Sequence, residues 1–207
     1  KRLFAALASL CMVATLGAPT VRAAETEPQT LEIATVDQLE ALVRDCRLDS
    51  WSRGRTVVLT ADLDLSGSDF SGIPTFGGTL EGGGHTLRGL FRYLQKDAVV
   101  EDLHLSGTVQ PGGTRTTVGG LAGQNDGTIR NCSVNGTVTG TSRVGGIAGT
   151  NTVTGVITGC TVAGSVYGDH FVGGLVGQND GVISQCTNQA EVNTTVSQND
   201  VKLDDLT

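Results

Sequence analysis

Apolar residues recur along this chain in two rhythms. Over Thr35–Cys46, "TVDQLEALVRDC", the residues Val36, Leu39, Leu42 and Val43 fall at the three- and four-residue spacing of one helix face, with Thr35 placed to cap its start. Elsewhere the rhythm is the two-residue alternation of strands, interrupted by glycine turns. A polar leader over residues 24–34 enters a first strand near Leu31–Ile33. Thr56–Gly67, "TVVLTADLDLSG", sets Val58, Leu63 and Leu65 among polar residues and predicts a strand. Across Ile73–Leu90 the apolar Leu80 and Leu87 stand between glycine turns, which predicts short strands turning corners.

From Val99 the pattern repeats. "VGGLAGQNDGTIRNC" at Val118–Cys132 returns as "VGGIAGTNTVTGVITGC" at Val144–Cys160 and as "VGGLVGQNDGVISQC" at Val172–Cys186. Aligning "VVEDLHLSGTV", "TIRNCSVNGTV", "VITGCTVAGSV" and "VISQCTNQAEV" gives four apolar columns. They are Val100, Ile129, Ile157, Ile183; then Leu103, Cys132, Cys160, Cys186; then Leu105, Val134, Val162, broken by Asn188; and Val109, Val138, Val166, Val192. The spacing from Val118 to Val144 is 26 residues and from Val144 to Val172 it is 28, the difference being a Thr-Val insertion at a turn of the middle copy. A period of this length predicts a solenoid. The units lack the long helix-forming runs of helical solenoids and the pattern of leucine-rich repeats. Coils of two or three short strands, joined by tight turns and stacked through parallel hydrogen bonds, fit instead.

Composition narrows the core. With 30 Gly and aromatics at 4%, the composition argues against a core built on aromatic anchors, and Val, Ile, Leu, Thr and Gly suit narrow, regular strands and tight turns. The start reads as an export signal. Lys1 and Arg2 are basic, Leu3–Leu16 is apolar but too short to span a bilayer, and cleavage is expected after Ala23. Cys11 lies inside the apolar stretch behind the bulky Leu10, which argues against lipid attachment. Loss of Lys1, Arg2 and Arg22 takes the formal charge from −7 to −10. So acidic a chain is a poor partner for nucleic acid or an anionic membrane, and no membrane insertion of the mature chain is expected. Cys132, Cys160 and Cys186 close equivalent points of the repeat. Stacked equivalents project parallel side chains, which suit a disulfide torsion badly, so a buried column of free thiols is expected.

"GGLAG", "GGIAG" and "GGLVG", each followed by a "GxI…C" strand and a "GxV" strand, resemble the GLUG motif of repeat regions in bacterial surface proteins. "FSGIPTFGGTLEGGGHTLRGL" and "LFRYLQKDAVVEDLHLSGTV" resemble the segments that lead into such repeats, so the likeness covers Thr35 to Val192. It implies an all-β solenoid, a right-handed parallel β-helix with an N-terminal cap containing one short α-helix, in an exported, adhesin-like protein. The expected organisation is a signal peptide over 1–23, a cap and first coils over 24–97, GLUG-like repeats over 98–193, and the start of a further element over 194–207.

Candidate chemistry is weighed against that frame. A phosphate loop needs Lys-Ser/Thr after its last glycine, but Thr128-Ile129 follows Gly127, and a dinucleotide fingerprint needs a helix where a strand is expected. The recurring glycines Gly119, Gly120 and Gly123, then Gly145, Gly146 and Gly149, then Gly173, Gly174 and Gly177, are read with the cysteines as structural repeat positions. Asp126 and Asp180 recur, but Thr152 interrupts them, a thin set for calcium. His85, His104 and His170 are scattered and none lies in HExxH. A β-helix lyase needs acidic calcium ligands near a basic side chain; Arg115, Arg130 and Arg143 are candidates to lie near one wall, although scattered Arg more commonly marks a solvated face. Trp51 and Tyr167 are isolated aromatics, and Asn131, Asn135 and Asn193 open chance sequons.

The expectation is therefore a non-enzymatic exported surface or adhesion scaffold with no cofactor, the N-terminal part of a longer protein. Its partners would be a protein or glycan surface ligand and further repeats of the same protein. The alternatives are a carbohydrate-active β-helix enzyme, which needs three or more carboxylates and a basic residue on one face, and a glycan-binding module, which needs an exposed aromatic pair.

Overall fold

The computed structural model of the chain describes residues 29–65, 70–87, 91–110 and 117–193. The expected signal, Cys11, Arg115 and the tail after residue 193 lie outside them.

The described chain enters through β1 (Thr30–Ile33), forms α1 (Val36–Asp45) and returns as β2 (Thr56–Leu59), parallel to β1 with Ile33 opposite Leu59. The helix begins where the sequence offers a capping box. The Gln38 amide donates to Thr35 Oγ1 (3.3 Å), and Gln38 Oε1 accepts from the Thr35 amide (3.1 Å), so two orphan donors of the first turn are satisfied. Leu39 and Leu42 turn inward, and Cys46 joins the same core behind them. Within β2 the inward residues are Val57 and Leu59, with Val58 only half-buried, so the alternation runs one residue out of phase with the expectation. Leu63 and Leu65 are buried without strand pairing.

Short strands β3 (Thr79–Glu81), β4 (Thr86–Leu87), β5 (Phe91–Leu94), β6 (Val99–Glu101) and β7 (His104–Val109) build the coils that precede the repeat. The first repeat coil is β8 (Val118–Gly119), β9 (Ala122–Asn125), β10 (Thr128–Arg130) and β11 (Ser133–Thr139). The second is β12 (Ser142–Gly145), β13 (Ala148–Asn151), β14 (Val156–Thr158) and β15 (Thr161–Tyr167). The third is β16 (His170–Gly173), β17 (Val176–Asn179), β18 (Val182–Ser184), β19 (Thr187–Asn188) and β20 (Glu191–Val192).

Strands from successive coils line up as four walls. One runs β1-β2-β3-β6-β10-β14-β18 and the next β4-β7-β11-β15-β19, with β20 also on β15. The others are β8-β12-β16 and β5-β9-β13-β17. The pairings are parallel, and the described residues form a β-solenoid of about five turns with one short helix. The first two repeat coils thus hold four strands each, not two or three. The extra strands lie in the glycine-rich segments, where doubled glycines resemble turns but form parallel ladders.

The aligned columns are in register. Val100, Ile129, Ile157 and Ile183 lie over one another, as do Leu105, Val134, Val162 and Asn188, and Val109, Val138, Val166 and Val192. At a strand spacing of about 4.8 Å, each apolar side chain is covered by its equivalent above and below. Burial of one such Ile stabilises the fold by about 1.5–3 kcal/mol. The middle insertion does not disturb the stack. Asn151 pairs with Asn125 and Val156 with Thr128, so the added residues bulge at the corner, where Val153 is 80% exposed. Burial falls in the last described coil, in which Ile183, Cys186 and Val172 are only partly covered.

Candidate functional site

The repeated motif forms one continuous wall and corner. The first glycine of each copy leaves no room for a side chain. A Cβ on Gly119 would meet the Ala122 carbonyl, one on Gly145 the Ala148 carbonyl and one on Gly173 the Val176 carbonyl. In the first two copies the second glycine faces the next coil, Gly120 lying against the Gly146 carbonyl and Gly146 against that of Gly174, whereas Gly174 lies against the side chain of Asn188 in its own coil. The third faces backbone one coil earlier. Gly123 lies against the Arg92 carbonyl (2.8 Å from an added Cβ), Gly149 against the Val118 amide (2.7 Å) and Gly177 against the Val144 amide (2.5 Å). The volume a phosphate would need is occupied by protein backbone.

The cysteines sit one residue before the strands that pair in register, so they stack. Cys132 Sγ lies 3.2 Å from the Arg130 carbonyl and 3.8 Å from that of Val100 one coil below. Cys160 repeats this on Thr158 (3.3 Å) and Ile129 (3.8 Å), and Cys186 on Ser184 (3.2 Å) and Ile157 (3.7 Å). All three thiols are free, as is the buried Cys46. The shared hydrogen bond with Cys160, and burial after it, hold the Cys132 thiol far above its usual range. Of the pair, Cys160 gives up its proton more readily, because the Cys132 S–H can donate to a Cys160 thiolate. The corner before each column member is left-handed: Asp102 (φ 52°), Asn131 (φ 53°), Gly159 (φ 64°) and Gln185 (φ 54°) occupy it in turn. Asp, Asn and Gly enter that region at least cost.

A second ladder was not legible as such. Asn125 and Asn179 read as turn residues in the sequence, yet with Asn151 they point into the solenoid. Asn125 Nδ2 donates to Asn151 Oδ1 and Asn151 Nδ2 to Asn179 Oδ1, each at 2.8 Å. Their remaining amide hydrogens go to the carbonyls of Gly127, Gly155 and Gly181, all at 3.2 Å. Asn125 and Asn151 are fully buried. The available signal was the recurrence of Asn at the same register position in all three copies.

The remaining candidates disperse. Asp126 is saturated by side chains: Oδ2 accepts from Tyr93 Oη (2.7 Å), and Oδ1 from Thr152 Oγ1 (2.8 Å) and Gln124 Nε2 (3.0 Å). Asp180 accepts from Gln178 Nε2 (2.9 Å). Among the described residues, no three His, Cys, Asp or Glu side chains converge to hold a metal ion. Arg130 lies on the long wall, paired with Glu101, whereas Arg143 lies on the β8-β12-β16 wall against Gln178 (2.6 Å), so the two do not share a face. His85 pairs with Asp62 (3.2 Å), His104 with Ser133 (2.6 Å), and His170 is exposed on β16. One face of the half-buried Trp51 ring is covered by the Arg55 guanidinium, 4.5 Å from its centroid. Tyr167 ends β15. Asn131 and Asn135 are exposed, while the Asn193 side chain bridges the Gly168 amide and carbonyl, each at 3.0 Å.

Comparisons with known proteins agree with this geometry. A family model of the GLUG motif matches residues 114–139. Halomucin of Haloquadratum walsbyi (strain DSM 16790 / HBSQ001) is 34% identical over 155 residues, an alignment covering 61% of this chain and 2% of halomucin. No solved structure matches the chain. The chain thus carries the GLUG motif in one matched copy, with two further copies of that sequence stacked upon it in register.

Proposed function

We propose that this chain is a non-enzymatic scaffold of a secreted or cell-surface repeat protein, whose coils hold exposed corners and loops at a distance for contact with a protein or glycan. One observation carries the reading. The residues that recur from copy to copy, the glycines, cysteines and asparagines, are turned toward the neighbouring coil or the lumen, so the repeat is spent on stacking. What varies is what faces solvent, such as Val153 and Thr154 of the middle-copy bulge. The signal-like residues 1–23 and the likeness to a protein named for mucins support an exported setting. The chain spans only a small part of halomucin, and further repeats belong to the proposal in the same way. The test is antibody raised against residues 98–193 applied to intact source cells. Labelling without permeabilisation is the expected result; labelling only after permeabilisation overturns it.

A further inference from the structure

We propose that a corner cleft on the N-terminal coils binds an acidic saccharide, its carboxylate or sulfate held by Arg53, Arg55 and Lys96. Three successive corners form the cleft: the loop entering β2, Gly77–Thr79 entering β3, and Tyr93–Asp97, which runs from the end of β5 toward β6. Its volume is about 750 Å³, within the range of roughly 300–1,000 Å³ typical of small-ligand sites.

The cleft is held open by glycine. A Cβ on Gly77 would meet Gln95 Oε1 (2.8 Å) and Arg53 Cγ (3.0 Å), and one on Gly78 the Ser52 and Arg55 carbonyls, whereas Gly54, at φ 70°, has nothing within 4 Å. Gln95 is the keystone, 6% exposed and fully engaged. Its Oε1 accepts from Arg53 Nε (2.8 Å), and its Nε2 donates to the Asp49 carbonyl (2.7 Å) and Thr75 Oγ1 (2.8 Å). Arg55 is oriented in the same way, through Nε to Gln29 Oε1 (3.3 Å) and by stacking on Trp51. Both guanidinium groups are therefore positioned through Nε. Among the described residues, their terminal nitrogens and the Lys96 amine have no hydrogen-bond partner. Preorganised guanidinium forks lose little entropy on meeting a planar carboxylate or a sulfate.

The surroundings select the ligand class. Three cations in one cleft stand out on a chain of formal charge −7. The carboxylates of Asp49 and Asp97 also line the cleft and would repel a densely charged polyanion. They accept hydrogens from hydroxyl groups, so a polyhydroxylated ligand with widely spaced anionic groups satisfies both sets.

The test is calorimetric titration of the full chain with trigalacturonate, a sulfated chondroitin disaccharide, neutral maltotriose and sodium sulfate. One or both acidic saccharides should bind saturably, roughly tenfold or more tighter than maltotriose or sulfate. Which of them binds separates a carboxylate ligand from a sulfate ester. Arg53→Gln and Lys96→Gln should each weaken that binding about tenfold. Lys96 is exposed, so its variant keeps the wild-type unfolding midpoint and guards against misfolding. Absence of saturable binding by both acidic saccharides overturns the proposal. So does sulfate binding as tightly as they do, or wild-type affinity in both variants.

Discussion

The asparagine ladder makes a prediction in which pairing, not volume, is at stake. Leu94 occupies the register position opposite Asn125 in the preceding coil, so leucine fits the site. Asn151→Leu removes the 2.8 Å bonds to Asn125 and Asn179 and the 3.2 Å bond to the Gly155 carbonyl. Each neutral bond contributes about 1 kcal/mol net, and the amide hydrogen left on the fully buried Asn125 costs about 1–3 kcal/mol more. Burial of the leucine returns about 1.5–3 kcal/mol, leaving a net loss of about 1–4 kcal/mol. Asn125→Leu strands Asn151 Oδ1 and the Gly127 amide, which now donates to Asn125 Oδ1 at 3.2 Å, and should cost a similar amount. In the double variant the two leucines face each other, so the groups that each single change strands on Asn125 or Asn151 are gone, while Asn179 Oδ1 loses its donor just as in Asn151→Leu alone. The loss in the double variant should fall short of the sum of the singles by about 1–3 kcal/mol. Urea unfolding followed by far-UV circular dichroism, with the slope fitted for each variant, measures the cycle. Additivity within about 0.5 kcal/mol would refute the claim that the asparagines act as one buried hydrogen-bonded column.

Three further outcomes are expected. Gly146→Ala should lower the thermal midpoint more than Gly84→Ala, because the new methyl meets the Gly174 carbonyl and Val162, whereas at Gly84 (φ 77°) it has open space and costs only about 1 kcal/mol of backbone strain. A brief iodoacetamide pulse on the native protein, read by peptide mass spectrometry, should mark the half-buried Cys186 and spare Cys132 and Cys160; equal labelling of the three contradicts the stacked burial. Burial pushes the Cys46 thiol from 9.0 up to about 11, so its contribution to stability is fully present below about pH 9 and is lost as pH rises toward 11. Urea midpoints across that window should fall, and should fall less steeply in Cys46→Ala.

The capped helix was legible because its signals are local: Thr35 and Gln38 lie three residues apart, and Leu39 and Leu42 share a face whatever surrounds them. The solenoid was legible because stacking forces like residues to recur at the coil period, so aligning the copies predicted the columns that now lie in register. The phase of β2 was not, since Val57, Val58 and Leu59 are all apolar and only the position of the core decides which point inward. Nor was the strand count of a coil, because a glycine pair reads as a turn until a neighbouring backbone is placed against it.

The sequence by itself determined a repeating parallel coil with small residues at set points. Periodicity and volume are properties of the chain alone. Only the tertiary structure decided what each polar residue does. Asn151 becomes a buried rung because Asn125 and Asn179 arrive above and below it, 26 and 28 residues away. Arg53 becomes one edge of a cleft because Gln95, 42 residues on, turns it there. Hydrogen bonds and charge act over a few ångströms, and it is the coiling of the chain that brings such distant residues within that range.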